Sequence, residues 1–299
     1  MKLFTRTALV LTALAVLAAG TGTGAANAKT KAAKPLPVAP GTRYLALGDS
    51  VTFGYMEGTV VPAPNYHNAA TFFGYPEIAG AALHLKVANA ACSGETSSSL
   101  INPKAQSNGC ENSPGNPSVG YRTQFPLHVK YKGSQLAFAL SYLKAHKNVS
   151  LVSLMIGAND FFVCQETSAD GCATTAEQSA VAAKVTSNIH TILGSIRKKA
   201  HYTGQIAIVN YYSLNYSVPA VNAQSQLLNK TQDAAAKPYH VVIGDGYGEL
   251  QKAAAHFGGS TCQAGLITEL NNTPGTCGIH PSYAGQSLLA LSLEKAITL

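Results

Sequence analysis

The chain has 299 residues, of which 46% are hydrophobic and 12% charged, and its formal net charge at pH 7 is +7. This length allows one large domain or two small ones. Five basic residues precede Arg43 without any acidic residue among them, and removing these five charges from +7 leaves +2 for the rest of the chain. Such a small excess gives no support for nucleic-acid binding.

The first 28 residues have the pattern of a secretory signal peptide. Lys2 and Arg6 form a charged start, and the apolar run 8–19 that follows is too short to span a bilayer. Ala26-Asn27-Ala28 is an A-x-A cleavage pattern. We therefore predict cleavage after Ala28 and a secreted protein without stable membrane insertion; the alternative is a retained N-terminal anchor.

Residues 29–42 are basic and contain three prolines, which predicts a flexible leader before a single domain at 43–299. Within this domain short apolar runs alternate with longer helix-compatible segments. The predicted strands are 44–47, 86–91, 149–156, 205–211 and 240–243. The predicted helices are 76–85, 134–146, 175–200, 220–236, 248–257 and 283–296.

Two patterns define the predicted architecture. The segment 175–200 places apolar residues at three- and four-residue steps, which is typical of an amphipathic helix. The continuous apolar run 149–156 suits a strand that is covered on both faces. Alternation of such elements predicts a three-layer α/β/α domain with a central parallel sheet of about five strands. Three long stretches, 55–72, 96–132 and 258–280, are predicted to be irregular and functional or cross-linked.

Six cysteines in an exported chain indicate three disulfides, although six cysteines permit fifteen pairings. The cysteines fall into three local pairs, each around a stretch rich in Gly, Asn or Ser. The pairs that we expect are Cys92–Cys110, Cys164–Cys172 and Cys262–Cys277. Zinc binding is the alternative, but the sequence has no C-x-x-C pattern, so no metal is expected.

Four residues with useful chemistry follow predicted strands or precede the last helix. They are Ser50, Gly94, Asn159 and His280. Ligands of open α/β sheets bind at the carboxyl ends of the strands, so these residues are expected to meet there. A serine becomes a nucleophile when a histidine accepts its proton, and backbone or amide N–H groups can stabilise the oxyanion that follows. Several large apolar residues directly follow these positions and are expected to form either an acyl-binding wall or core packing. They are Phe53, Tyr55, Met56, Phe161 and Phe162.

The segments "LALGDSVTFGY", "ACSGETSSS", "IGAND" and "HPSYAG" resemble the four blocks of the SGNH (GDSL) hydrolase superfamily, in their usual order. The resemblance covers about Tyr44 to the C-terminus. Within the superfamily, the chain is similar to secreted bacterial members of the lipase/esterase type. It implies a flavodoxin-like fold with Ser50 as nucleophile and His280 as base. It also implies an oxyanion hole of the Ser50 N–H, the Gly94 N–H and Asn159, without a cofactor.

The chain departs from this family pattern at one position. The last block of the family commonly reads D-x-x-H, in which the aspartate orients the histidine, whereas this chain has Cys277 three residues before His280. Two replacements are considered. The preferred one is a backbone carbonyl in the 262–279 loop, held by the Cys262–Cys277 disulfide, and the other is Asp245, which an N-cap role explains equally well. Asp49 is expected to orient its loop, and Asp160 to cap the next turn.

The function predicted from the sequence is that of a secreted, monomeric serine hydrolase that cleaves carboxylic esters of small molecules or lipids. An acyltransferase and a carbohydrate O-acetyl esterase that use the same residues are the alternatives. A non-catalytic binding protein on the same scaffold is a third, supported by the missing aspartate alone.

Overall fold

The computed structural model describes residues 35–299. The predicted signal peptide and the first part of the predicted leader lie outside these residues. Within 35–299, no helix has the length and apolar character needed to cross a membrane.

A five-stranded parallel sheet forms the centre of the domain, in the order β2-β1-β3-β4-β5. Its strands are β1 (Arg43–Gly48), β2 (Lys86–Asn89), β3 (Val149–Met155), β4 (Gln205–Val209) and β5 (Val242–Gly244). The prediction of a parallel α/β sheet is confirmed, with boundaries that differ by a few residues. The strands after β1 are added first on one side of it (β2) and then on the other (β3 to β5), and such a switch point between β1 and β3 is where ligands of flavodoxin-like sheets bind.

Helices cover both faces of the sheet. They are α1 (Ser50–Phe53), α2 (Tyr75–Ala82), α3 (Ser97–Ile101), α4 (Tyr121–Gln124), α5 (Gln135–Ala145), α6 (Ala158–Thr167), α7 (Thr175–Lys198), α8 (Pro219–Ala236), α9 (Gly246–Ala254) and α10 (Tyr283–Ala296). Helix α7 packs against α3, α5, α6 and α8, whereas α10 packs against α2 and α9. The fold is therefore the predicted three-layer arrangement.

Helix α7 shows how the sequence determines this packing. Thr174 caps its first turn in a reciprocal arrangement with Glu177, and two basic residues stand in its last turn, where they interact favourably with the helix dipole. The apolar residues of the predicted stripe, Val185 to Ile196, are buried. All five residues of β4 are buried as well, as a strand covered on both faces requires.

The structure contains regular elements that the sequence analysis treats as irregular. Helices α3 and α4 lie in the stretch 96–132, and an antiparallel hairpin of β6 (Ile267–Glu269) and β7 (Cys277–Pro281) lies in 258–280. Helix α6 was also not predicted. Elements of three to five residues are too short to display a hydrophobic period, and the apolar residues of α6 are mainly the consecutive run 161–164, which has no helical spacing.

The six cysteines form three disulfides with the pairing that the sequence analysis expects. Cys92 and Cys110 are both fully buried beside the loop that follows β2. Cys164 ties α6 to the turn before α7, and Cys262–Cys277 ties β7 to the chain that precedes β6. Two of the bonds thus fix segments at the carboxyl edge of the sheet.

Candidate active site

Ser50 is the first residue of α1 and follows directly from β1. Asp49, and not Ser50, is the N-cap: its side chain accepts a hydrogen bond from the Val51 N–H (3.0 Å) and another from the Tyr211 hydroxyl. The loop orientation expected of Asp49 is therefore what the structure shows. Because a different residue caps the helix, the Ser50 hydroxyl is free to face the site.

His280 lies in β7, and its side chain is buried against Ser50. The distance from His280 Nε2 to Ser50 Oγ is 2.9 Å. The ring of Tyr55 packs edge-to-face on the imidazole, with 4.8 Å between the ring centroids. The sheet edge and the hairpin thus bring together two residues that are 230 positions apart in the sequence.

The other imidazole nitrogen, Nδ1, lies 2.8 Å from Oε1 of Glu57, a residue that the sequence analysis does not select. A carboxylate only accepts hydrogen bonds, so the proton of the neutral imidazole lies on Nδ1, and Nε2 is left to accept from the Ser50 hydroxyl. Glu57 is itself held by two donors, the Ile279 N–H at 3.0 Å and the Thr268 hydroxyl at 2.8 Å. The three side chains of Ser50, His280 and Glu57 are therefore joined by consecutive hydrogen bonds.

The electrostatics of Glu57 favour its ionised form. Burial raises the pKa of this carboxyl, but the hydrogen bond and the charge of His280, together with the Thr268 hydroxyl, lower it by more. The net effect is a fall of the Glu57 pKa from 4.5 to about 2. Glu57 is therefore a carboxylate throughout the neutral range, and it stabilises positive charge on the imidazole.

Both predicted partners of His280 Nδ1 are wrong. The position is filled by the Glu57 carboxylate and not by a backbone carbonyl of the 262–279 loop. Asp245 caps α9 instead, where its side chain accepts from the Gly248 N–H at 2.9 Å. Glu57 was missed because it lies in the loop after Ser50 and not in the His280 block; the signal available was a lone acidic residue in the irregular stretch 55–72.

Gly278 makes room for the Glu57 carboxylate. A Cβ at this position would lie 2.0 Å from Glu57 Oε1, well inside the distance that atoms can share. Any side chain at 278 therefore displaces the group that orients His280.

We expect Gly278→Ala to lower kcat/KM for an ester substrate by about 10- to 100-fold, since a small misplacement of a catalytic group is sufficient for such losses. Gly58→Ala is the matched control, because a Cβ there would meet only the Tyr66 side chain at 3.5 Å. Steady-state hydrolysis rates of the two variants are the measurement. Equal rates for both variants would show that the packing at Gly278 does not matter for activity.

Among the backbone N–H groups at the carboxyl edge of the sheet, those of two buried residues have no acceptor within residues 35–299 and lie in the loops expected to hold an oxyanion. They belong to Ser50 at the start of α1 and to Gly94 in the loop after β2, and both residues are buried. Gly94 has φ +79°, and a Cβ there would lie 2.4 Å from the Asn108 carbonyl oxygen, so only glycine fits this loop. Buried N–H groups are almost always hydrogen-bonded, so free ones suit a ligand atom.

Asn159 stands in the first turn of α6, immediately after β3. Its Oδ1 accepts from Asn108 Nδ2 at 3.0 Å, which fixes the orientation of the amide, and its Nδ2 donates to the Glu95 carbonyl at 3.1 Å. The amide NH₂ has a second hydrogen, and Asn159, Ser50 and His280 line the same cleft. The arrangement offers a further donor beside the nucleophile.

Gln135, at the start of α5, joins the nucleophile loop to the Gly94 loop. Its Oε1 accepts from the Gly48 N–H at 3.0 Å, and its Nε2 donates to the Gly48 carbonyl at 2.8 Å and to Glu95 Oε2 at 2.6 Å. Gln135 and Glu95 are fully buried. The loops that carry Ser50 and Gly94 are thus held together through the core.

The sequence predicts that Asp160 caps the turn that follows it, and this prediction is wrong. Asp160 lies in the first turn of α6 and accepts from the Ser97 N–H (2.8 Å) and hydroxyl (2.6 Å), so it binds the first residue of α3, whose N-cap is Thr96. Burial raises the pKa of this carboxyl from 3.8 to about 6, against the lowering effect of the Ser97 bonds. The folded chain therefore keeps a proton on Asp160 between about pH 4 and 6, where the unfolded chain has lost it.

The raised pKa of Asp160 makes the free energy of unfolding depend on pH in a defined direction. A carboxyl with a raised folded-state pKa makes the unfolding free energy fall as pH rises through that window. Asp160→Asn imitates the neutral form at every pH, so we expect its stability relative to the wild type to rise by about 2 kcal/mol between pH 4 and pH 8. Urea unfolding of both proteins at the two pH values measures this. A constant difference would contradict a raised pKa.

One group of possible metal ligands occurs within residues 35–299, formed by Cys92, Glu95 and Cys110. Both sulfur atoms belong to the same disulfide, so they are not available as thiolates.

A parallel sheet with a seryl hydroxyl, an imidazole and free N–H donors at its carboxyl edge is the arrangement that the resemblance to SGNH hydrolases implies. The chain belongs to the GDSL-like lipase/acylhydrolase family, whose model matches residues 46–288. A comparison with curated protein sequences gives no match.

Solved structures with the same fold are distant in sequence. Phospholipase A1 from Streptomyces albidoflavus NA297 is 21% identical, with a TM-score of 0.52 over 85% of this chain and 99% of that one. The acetylxylan esterase Axe2 from Geobacillus stearothermophilus is 15% identical, with a TM-score of 0.51 over 87% and 95% of the two chains. The α/β hydrolase LAE5 from the metagenome of Lake Arreo, Spain, is 16% identical, with a TM-score of 0.52 over 86% and 95%. At these identities the likeness shows the fold alone.

Proposed function

We propose that this protein is an exported serine hydrolase that cleaves carboxylic esters through an acyl-enzyme intermediate. The observation that carries the proposal is the series of hydrogen bonds in which Ser50 Oγ lies 2.9 Å from His280 Nε2 and His280 Nδ1 lies 2.8 Å from Glu57 Oε1. Membership of the lipase/acylhydrolase family supports the reaction class. Three disulfides support an oxidising compartment, in agreement with the predicted signal peptide.

The first half of the reaction forms the acyl-enzyme. Ser50 Oγ attacks the ester carbonyl carbon while its proton moves to His280 Nε2, and the carbonyl oxygen becomes an oxyanion. The free N–H groups of Ser50 and Gly94 and the Asn159 amide are the donors that stabilise this charge. When the tetrahedral intermediate collapses, the bond to the alkoxide oxygen breaks, and the proton on Nε2 passes to the departing alcohol.

The second half returns the enzyme to its starting state. A water molecule gives a proton to His280 Nε2 as its oxygen attacks the acyl carbon, and Ser50 Oγ then leaves with that proton. Glu57 stays ionised in both halves and stabilises the imidazolium that forms twice in each turnover. This carboxylate also removes the argument for a non-catalytic binding protein, which depends on the aspartate missing from the His280 block.

Covalent labelling tests the proposal. A small fluorophosphonate is expected to add one phosphonyl group to Ser50 of the folded protein, which intact-mass and peptide mass spectrometry detect. Ser50→Ala is expected to take up no label, and His280→Ala to react far more slowly. If the wild type takes up no label while circular dichroism shows it folded, Ser50 is not an activated nucleophile and the proposal is wrong.

A further inference from the structure

A cleft of about 140 Å³ opens beside Ser50, between α6 and α8. Phe161 and Phe162 line it from α6, and Val221 and Leu228, seven residues apart on one helix face, line it from α8. Leu228 is buried, whereas Leu214 and Ile279 are more than a third exposed and belong to the mouth. The cleft thus has a reacting end at Ser50, a largely apolar wall and a buried leucine away from the mouth.

Three polar groups in the wall are hydrogen-bonded within the protein, whereas the side-chain amides of Gln165 and Gln224, which also line the cleft, have no hydrogen-bond partner among residues 35–299. The Tyr212 hydroxyl donates to the Ile279 carbonyl at 2.5 Å, the Ser225 hydroxyl donates to the Tyr212 carbonyl at 2.9 Å, and the Tyr211 hydroxyl donates to Asp49. A sugar in this cleft would lose its hydrogen bonds to water and could replace them mainly at these two amides, because the rest of the wall is largely apolar. A hydrocarbon chain loses nothing of this kind and gains from burial.

From this geometry we infer that the cleft is the acyl subsite and that it selects unbranched acyl chains of about six carbons over acetyl groups. The inference rests on the proposed function. The acyl group stays attached to Ser50 while the alcohol leaves and water enters, so the apolar cleft beside Ser50 suits the acyl group. Phe162, Val221 and Leu228 are then specificity-determining residues.

The volume of the cleft determines the length of the acyl chain that fits. An apolar cavity of about 150 Å³ accommodates a six-carbon molecule such as benzene, so a hexanoyl chain fills the cleft. Each methylene moved from water to an apolar site is worth roughly a three- to fourfold gain in an equilibrium or rate constant. We expect kcat/KM to rise by about this factor per methylene from acetyl to hexanoyl, and to rise no further once the chain reaches the mouth.

Two ester series test the inference on the full mature protein, with Ser50→Ala as the blank. p-Nitrophenyl esters vary the acyl chain from acetyl to dodecanoyl, and acetate esters of linear alcohols vary the leaving group, with proton release as the readout. The expected result is dependence on acyl length alone, with the rise ending near six carbons. A flat profile, a preference for acetyl, or dependence on alcohol length would overturn the inference. Failure of every ester to react faster than with Ser50→Ala would instead contradict the proposed function.

Substitutions in the cleft wall provide a second test of the inference. Val221→Trp fills the wall and is expected to lower the ratio of hexanoyl to acetyl kcat/KM at least tenfold. Val218→Trp is the matched control, because Val218 lies one turn earlier, is 41% exposed and is not part of the lining; its ratio is expected to equal that of the wild type. Phe162→Ala enlarges the cleft and is expected to move the optimum to longer chains. If neither Val221→Trp nor Phe162→Ala changes the chain-length profile, the cleft is not the acyl subsite.

Discussion

Replacing Glu57 by glutamine is expected to lower kcat for ester hydrolysis by about 10²- to 10⁴-fold, with little change in KM. Loss of the carboxylate from a serine triad has an effect of this size because the imidazolium loses its stabilising charge and its fixed tautomer. Glutamine has the size of glutamate, so the contacts with Ile279 and Thr268 can persist and the loop should stay folded. Steady-state kinetics with a hexanoyl ester measure the change.

The control for Glu57→Gln is Asp245→Asn, the same chemical change at the acidic residue that caps α9. It is expected to leave kcat near the wild-type value. Two results would refute the role given to Glu57: a Glu57→Gln enzyme with more than a tenth of wild-type kcat, or an Asp245→Asn enzyme as impaired as Glu57→Gln. Thermal unfolding of both variants separates a loss of catalysis from a loss of folded protein.

Replacing Asn159 by alanine is expected to lower kcat by about 10²- to 10³-fold, the usual effect of removing one oxyanion donor. The amide contributes most when charge develops on the carbonyl oxygen, so substrate binding and KM should change little. The half-buried Asn108 amide, which donates to Asn159 Oδ1, loses its acceptor in the same variant, so some loss of stability is expected as well.

Asn102→Ala provides the comparison, because Asn102 is exposed at the end of α3 and its side chain accepts only from the Lys104 N–H. Its kcat should match the wild type. If Asn159→Ala keeps kcat within threefold of the wild type, the amide does not stabilise the transition state. A rise in KM with unchanged kcat would assign Asn159 to substrate binding instead.

The sheet and its long helices can be predicted from the sequence because each has enough residues to show a period or a continuous apolar run. Helix α7 and strand β3 are examples, and both lie where the pattern places them. The same rule explains the failures. The β6–β7 hairpin forms through contacts with Glu57 and with the disulfide, and neither leaves a periodic signal in five residues.

The residues Ser50, Gly94, Asn159 and His280 can be selected from the sequence because each follows a strand or precedes the last helix, in the order of a known family. Glu57 cannot be selected in this way. Its position depends on how the loop 55–72 folds over β7, and that path depends on a missing side chain at Gly278 and on backbone donors that every residue type provides. A motif describes residues that are close in sequence, whereas the acid that orients His280 has moved to another segment.

Gln135 also affects how the site responds to a charge that develops on the substrate. Its amide holds Gly48 and Glu95 in one buried hydrogen-bonded unit, so the loops that carry Ser50 and Gly94 cannot shift separately without breaking bonds where no water replaces them. The dipoles around Ser50 are therefore already oriented before a substrate arrives. In the terms of reaction-rate theory, the protein scaffold keeps the reorganisation energy low, where bulk water would have to turn its dipoles towards the new charge.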